Sequence, residues 1–190
     1  MPLNLPNLLT WGRIVLIPLL VLVYYLPHEW IPNHSRNIVA AGIFGLAAIT
    51  DWLDGYLARS LKQTSPFGAF LDPVADKLMV ATALIMLVWL ARVDAFIAAI
   101  IIGREIAISA LREWMAGIGE SRSVAVSLIG KLKTVSQMVA ILLLLYYDRL
   151  LFLDARRIGT WLIYLAAVLT LWSMIYYMRK ALPEAWKARP

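Results

Sequence analysis

No cysteine occurs in the 190 residues, which excludes disulfides, thiolate metal sites and thiol nucleophiles. Histidine is nearly as scarce: there are two, so a bound metal would rely on oxygen, the ligand of a hard divalent cation. Uncharged stretches long enough to cross a bilayer are few, although 62% of the residues are hydrophobic and the mean hydropathy is +0.74. That composition excludes an ordinary soluble domain and points to an integral membrane protein with a single domain, residues 1–190. The first apolar segment lacks a small-residue cleavage pattern, so no cleaved signal peptide is expected. The net charge of +6 and the pI near 9.7 come from basic residues scattered at the ends of apolar runs. They read as topology signals and anionic-lipid contacts, with no nucleic acid partner.

A spanning helix needs about 20 predominantly apolar residues, and only 158–178 offers 21 without a charge. Residues 2–10, where Leu3, Leu5, Leu8 and Leu9 alternate with Asn4, Asn7 and Thr10, suit a short interfacial segment. Arg13 then starts a first span over 14–26, kinked at Pro18, and 27–36 is a loop carrying His28 and His34. The stretches 37–50 and 78–91 are 14 residues each, too short to span unless each helix also takes in the acidic segment between them. Further spans fall at 94–111, 127–147 and 158–178, giving six transmembrane helices in an all-α membrane fold. With both termini cytoplasmic, Arg36, Arg92, Arg149, Arg156 and Arg157 face outward. Most of the other lysines and arginines, among them Arg13, Arg59, Arg112, Lys131, Lys133, Arg179 and Lys180, then face inward, so the acidic segment lies on the cytoplasmic side. Trp11, Trp89, Trp114, Trp161 and Trp172, with Tyr146, Tyr147, Tyr176 and Tyr177, read as interfacial anchors.

The acidic segment carries Asp51, Asp54, Gly55, Ala58, Arg59, Gly68, Asp72 and Asp76. Asp51 and Asp54 are three apart and Asp72 and Asp76 four apart, so each pair shares one helix face. A turn around Ser65, Pro66 and Gly68 reverses the chain and lays the two acidic faces together. An ionised residue at the bilayer centre costs about 2.5–3.5 kcal/mol on insertion scales. Four carboxylates therefore need compensation, and two Mg2+ or Mn2+ ions held by Asp51, Asp54, Asp72 and Asp76 would supply it, forming a clamp for phosphoryl transfer. Gly55 and Ala58 keep one face small where a substrate approaches, and Arg59 offers a cation to a phosphate or to an acidic neighbour. A proton or cation transporter is the non-enzymatic alternative, and it calls for charge at the midplane of several helices.

Those eight positions match the signature of the CDP-alcohol phosphotransferases, and the chain resembles that family over most of its length. The resemblance implies six transmembrane helices with the motif across the second and third, a homodimer, and two metals gripping the pyrophosphate of a CDP-linked lipid. It also implies Asp76 as general base, and donor binding by Asp54, Gly55, Ala58, Arg59, Gly68 and Asp72. The opening from Asn4 to Thr10 with Arg13, the Gly103-Arg104-Glu105-Ile106 stretch leading to Leu111-Arg112-Glu113-Trp114, and Gly130-Lys131-Leu132-Lys133-Thr134 with Gln137 resemble bacterial members that use sn-glycerol 3-phosphate as acceptor. For those the donor is CDP-diacylglycerol and the setting is the cytoplasmic (inner) membrane. Eukaryotic-type cardiolipin synthases share the opening and part of the fourth-helix pattern.

The residues themselves support a phosphorylated acceptor. Arg104 and Arg112 lie eight apart on one helix, at most ~80° around its axis from each other, and Lys131 and Lys133 begin the next. Arg104, Arg112 and Lys131 are the expected acceptor-phosphate ligands, while Lys133 is equally readable as a cytoplasmic topology residue. Glu105, adjacent to Arg104, does not face it, and its partner is expected on another helix. Thr10 and Asn7 read first as caps of the first helix, with contact to the nucleotide as the alternative.

Overall fold

The computed structural model describes residues 5–60, 66–117, 128–150 and 153–187. Among the described residues the chain forms six helices and one minimal hairpin. The helices are α1 (Leu5–Tyr25), α2 (Asn33–Ser60), α3 (Pro66–Trp89), α4 (Ala95–Gly117), α5 (Leu128–Tyr146) and α6 (Ala155–Lys187). The strands β1 (Arg149–Leu150) and β2 (Leu153–Asp154) pair antiparallel between α5 and α6.

The helix ends follow from local chemistry. Pro66 lacks an N–H and has a fixed φ, both compatible with a first helical position, so Pro66 and Gly68 open α3 rather than forming the turn expected of them. Asp94 caps α4 by accepting a bond from the Phe96 amide at 2.8 Å, and Asp154 caps α6 through the Arg157 amide at 3.2 Å. Two boundaries correct the sequence expectations. Residues 5–10 of the expected short interfacial segment are helical and continuous with α1, whose first turns they form. Thr10 lies inside that helix, fully buried, and so caps nothing. The second and third helices do take in the acidic segment, which gives them 28 and 24 residues.

α5 packs most extensively on α6, α1 lies against α2 and α3, and α4 leans on α6. The core between them is aliphatic, with Leu20, Phe44, Leu84, Leu87, Ile101, Ile141 and Leu144 all at or near zero exposure. Large apolar side chains also cover the outside: Trp161, Val168 and Trp172 on α6, Leu78, Ile85 and Trp89 on α3, and Val15, Leu19 and Leu22 on α1 are all exposed. Outward apolar faces on this scale suit a hydrocarbon surround. Taken alone, α1 over Leu8–Tyr25 and α6 over Ala155–Arg179 are long and apolar enough to cross a membrane.

One pole of the bundle is closed by polar groups that serve the backbone. The Arg92 guanidinium donates to the carbonyls of Leu144 and Leu145 at 3.0 and 2.9 Å, near the end of α5, and to Asn37 Oδ1 at 2.7 Å. It also lies 4.1 Å above the ring of Tyr147, a residue held in the left-handed region at φ 62°. Arg36 does the same for α1 through the Leu26 carbonyl. These two arginines, expected only as outer topology residues, satisfy carbonyls that helix ends leave without partners. The histidines are partnered as well: His34 Nδ1 is 2.8 Å from Asp148 Oδ2, and His28 Nε2 is 3.4 Å from Arg36.

Gly159 marks a close approach of α6 to α5. A Cβ there would stand 2.8 Å from Leu144 Cγ and 3.2 Å from Leu143 Cβ, and Leu144 is wholly buried with no room to yield. Gly159→Ala is expected to destabilise the bundle by about 1–3 kcal/mol through overpacking. Thermal unfolding of the purified protein in detergent checks this, and an unchanged midpoint would mean that the two helices separate freely.

Candidate active site

At the other pole, all six helices contribute polar side chains. The bonds that join them run from α1 to α2 and α3, from α4 to α5 and from α4 to α6. The local reason is spacing. Thr10 and Arg13, three apart on α1, share one face, and that face meets the two acidic helices. Arg13 NH1 donates to Asp51 Oδ1 at 2.8 Å, and Thr10 Oγ1 donates to Asp72 Oδ1 at 2.5 Å. Arg13 is 1% exposed, whereas the Asp51 side chain is 47% exposed, so the pair has one dry end and one wet one. Asp76 lies within electrostatic reach of Asp51, Arg13, Glu105 and Lys77. The structure thus brings Asp51, Asp72 and Asp76 to one pole, as their spacing predicts.

Among the described residues no three acidic or histidine side chains form a group able to hold a metal. The side chains of Asp54, Arg59 and Lys131 and the positions Gly55 and Ala58 lie outside the described residues, although their helices include them. Gly68 is buried in the first turn of α3. The donor set fits a hard cation in its chemistry: every acidic group is a carboxylate, and Asp51 and Asp76 stand close enough for their like charges to interact.

Beside the acids stands a cationic group. Arg104, 7% exposed, donates from NH1 to Glu105 Oε2 at 2.9 Å and from NH2 to Ser173 Oγ on α6 at 3.2 Å. Lys133, 1% exposed, reaches Glu105 Oε1 at 3.3 Å from α5. Arg104 and Arg112 both lie within electrostatic reach of Lys133. Arg112 is exposed, its guanidinium carbon 5.9 Å from the ring centre of Tyr177. Three expectations change here. Glu105 does meet its neighbour Arg104, because a long guanidinium can fold back along the helix, and it also has the partner expected on another helix. Lys133 is a buried member of the cluster rather than a surface topology residue. Tyr177 is 1% exposed and sits under Arg112, so it is no interfacial anchor.

Sequence reasoning did not foresee Arg13 and Thr10 as partners of the aspartates: Arg13 was expected as a topology residue, and Thr10 as a helix cap or a nucleotide contact. The available signal was their three-residue spacing at the start of an apolar helix, which puts a cation and a hydroxyl on one face.

The family model for CDP-alcohol phosphatidyltransferases matches residues 3–172. The chain belongs to that family. Among curated relatives, the CDP-diacylglycerol--glycerol-3-phosphate 3-phosphatidyltransferase of Pectobacterium atrosepticum is 51% identical over 186 residues, covering 95% of this chain and 96% of the relative. Proteins of the same name from Salmonella choleraesuis and Sodalis glossinidius are 51% and 52% identical over the same shares of the two chains.

Arg13→Ala is expected to cost about 1–3 kcal/mol of stability. That is less than the 3–5 kcal/mol of breaking a fully buried pair, because Asp51 is half open to water. Thr10→Val, which keeps the shape and removes one bond to a carboxylate, should cost less than Arg13→Ala. Unfolding midpoints of both variants in detergent test that order; equal, negligible effects would remove α1 from the site.

Proposed function

We propose that this chain transfers the phosphatidyl group of CDP-diacylglycerol to sn-glycerol 3-phosphate, giving phosphatidylglycerophosphate and CMP. The observation that carries this reading is identity of about half over nearly the whole length of relatives bearing that name, with 51% for the Pectobacterium protein. The geometry supports it: a carboxylate cluster adjoins a cationic one, and such neighbours suit a reaction in which a charged diphosphate donor meets a phosphate-bearing acceptor.

In the reaction, the acceptor hydroxyl oxygen forms a bond to the lipid-side phosphorus in line with the departing group. The bond from that phosphorus to the CMP oxygen breaks, and the hydroxyl proton passes to Asp76. Cysteine is absent and neither histidine stands among the described site residues, so direct transfer without a covalent intermediate is the economical course. Asp51, Asp54, Asp72 and Asp76 would hold two Mg2+ or Mn2+ ions. When bound, such ions neutralise diphosphate charge and stabilise the leaving oxygen. Asp54, Gly55, Ala58, Arg59, Gly68 and Asp72 bind the donor, and Arg104, Arg112 and Lys131 bind the acceptor phosphate. The setting is a bacterial inner membrane crossed by six helices, with the site and both termini on the cytoplasmic side and two copies forming a homodimer. Apolar outward faces on α1, α3 and α6 support the membrane placement. The excess of basic residues at the site pole supports the orientation.

CMP release by the purified protein, supplied with CDP-diacylglycerol and in parallel with glycerol 3-phosphate, serine, inositol or phosphatidylglycerol, tests the reading. Release is expected with glycerol 3-phosphate alone, to cease with a chelator, and to return with Mg2+ or Mn2+. Asp76→Asn should lower the rate about 10²- to 10⁴-fold, the usual cost of losing a general base. Release with a different alcohol would move the chain elsewhere in its family, and full activity in the variant would remove Asp76 from its role.

A further inference from the structure

Neither the family signature nor the proposed acceptor ligands account for Glu105. It is a carboxylate placed among cations, at a site where the substrate to be bound is itself an anion. Left alone, a glutamate there would repel an incoming phosphate. Its geometry gives the reason for its presence. Each of its two oxygens holds a different buried cation: Oε2 takes Arg104 at 2.9 Å and Oε1 takes Lys133 at 3.3 Å. Arg104 and Lys133 are 7% and 1% exposed, so neither relies on water for its counter-charge. Two such cations repel each other strongly in a medium of low dielectric, and a bidentate carboxylate between them permits both to stay charged and close. Arg104 is fixed a second time by Ser173 Oγ, whose own proton goes to the Thr170 carbonyl at 2.9 Å, so this arginine is tied to both α4 and α6. Glu105 itself is 28% exposed, less buried than the two cations it holds.

We infer that Glu105 is the positioning residue of the acceptor subsite: it holds Arg104 and Lys133 in register, so that an alcohol carrying a phosphate meets two desolvated cations already in place. This rests on the glycerol 3-phosphate reading given above. Glu105 does not touch the reacting atoms and takes no proton. Its contribution is to binding of the anionic acceptor, so it acts on the KM for that substrate more than on kcat or on the lipid donor.

The experiment is steady-state CMP release by full-length protein in mixed micelles, with glycerol 3-phosphate and CDP-diacylglycerol varied separately. Glu105→Gln keeps the volume and removes the charge. It is expected to raise the KM for glycerol 3-phosphate about tenfold or more, the size of a charged hydrogen bond, with kcat and the KM for CDP-diacylglycerol changed less than threefold, on the order of 0.6 kcal/mol. Glu105→Asp keeps the charge and should recover part of the loss. A double variant, Glu105→Gln with Lys133→Met, separates positioning from fold repair. If Glu105 only neutralised a buried lysine, the double variant would regain both the unfolding midpoint and the low KM. On the positioning account it regains the midpoint while the KM stays high. A lower KM in Glu105→Gln would show that the carboxylate competes with the acceptor phosphate, and an equal change in both KM values would show a general disturbance; either result overturns the inference. If the wild-type protein ignores glycerol 3-phosphate, the proposed function fails first. If the wild-type protein uses it and Glu105→Gln behaves normally, only the role of Glu105 fails.

Discussion

A guanidinium taken out of water must find acceptors for its N–H groups, and the Arg13–Asp51 pair is where this bundle meets that demand with an anion. Arg13 enters the protein on the first helix, almost wholly buried, and its charge is met by the first aspartate of the acidic segment at 2.8 Å. With Thr10 on Asp72, the same face of α1 fixes the end of α2 and the start of α3 against each other. Asp51 and Asp76, whose charges repel, lie within electrostatic reach of each other there. Hydrophobic packing alone does not give such a result, since the aliphatic core specifies depth and rotation only to the tolerance of interchangeable methyl groups.

The two poles of the molecule solve the same electrostatic problem in different ways. At one pole Arg92 is spent on main-chain carbonyls of α5, partners that cannot leave without unwinding the helix. Burial there lowers the Arg92 pKa from its ordinary value, and the nearby Tyr24, Tyr147 and Asp148 oppose that effect. At the other pole the buried cations are bonded to side chains, Glu105 and Ser173, and the acids to Arg13 and Thr10. Side-chain pairs can be loosened and remade around a substrate at little cost to the backbone. The first pole is therefore suited to holding the bundle closed and the second to accepting charged ligands.

The helical fold was largely legible because length and charge left few options. Fourteen-residue apolar stretches could become full helices only by absorbing Asp51 and Asp54 on one side and Asp72 and Asp76 on the other, and α2 and α3 do so. The spacing of the aspartates likewise placed Asp51, Asp72 and Asp76 at one end of the bundle. What remained illegible were partners separated far along the chain. Arg13 and Asp51 lie 38 residues apart, and Arg104 and Ser173 lie 69 apart. A lone arginine at a span end has the same local appearance whether it meets lipid phosphate, as expected of Arg13, or an aspartate in the next helix. Lys133 was ambiguous for that reason, and burial settled it. The one local rule that misled was the neglect of adjacent residues, because it describes Cβ directions and underestimates the reach of an arginine.

The arrangement of sign across the active pole follows from having to be both stable in the membrane and receptive to substrate. The acids cluster on α2 and α3 and the cations on α4 and α5, which would leave two strongly charged patches facing each other across an apolar bundle. Each patch instead has a residue of the opposite sign bonded into it, Arg13 among the acids and Glu105 among the cations. A single counter-charge lowers the cost of burying the cluster without cancelling it, so the first patch stays attractive to cations and the second to anions. Replacing either counter-charge by an apolar residue would leave its cluster less compensated. That balance is why two residues outside the acidic signature, on helices that contribute no aspartate to it, belong to the same site.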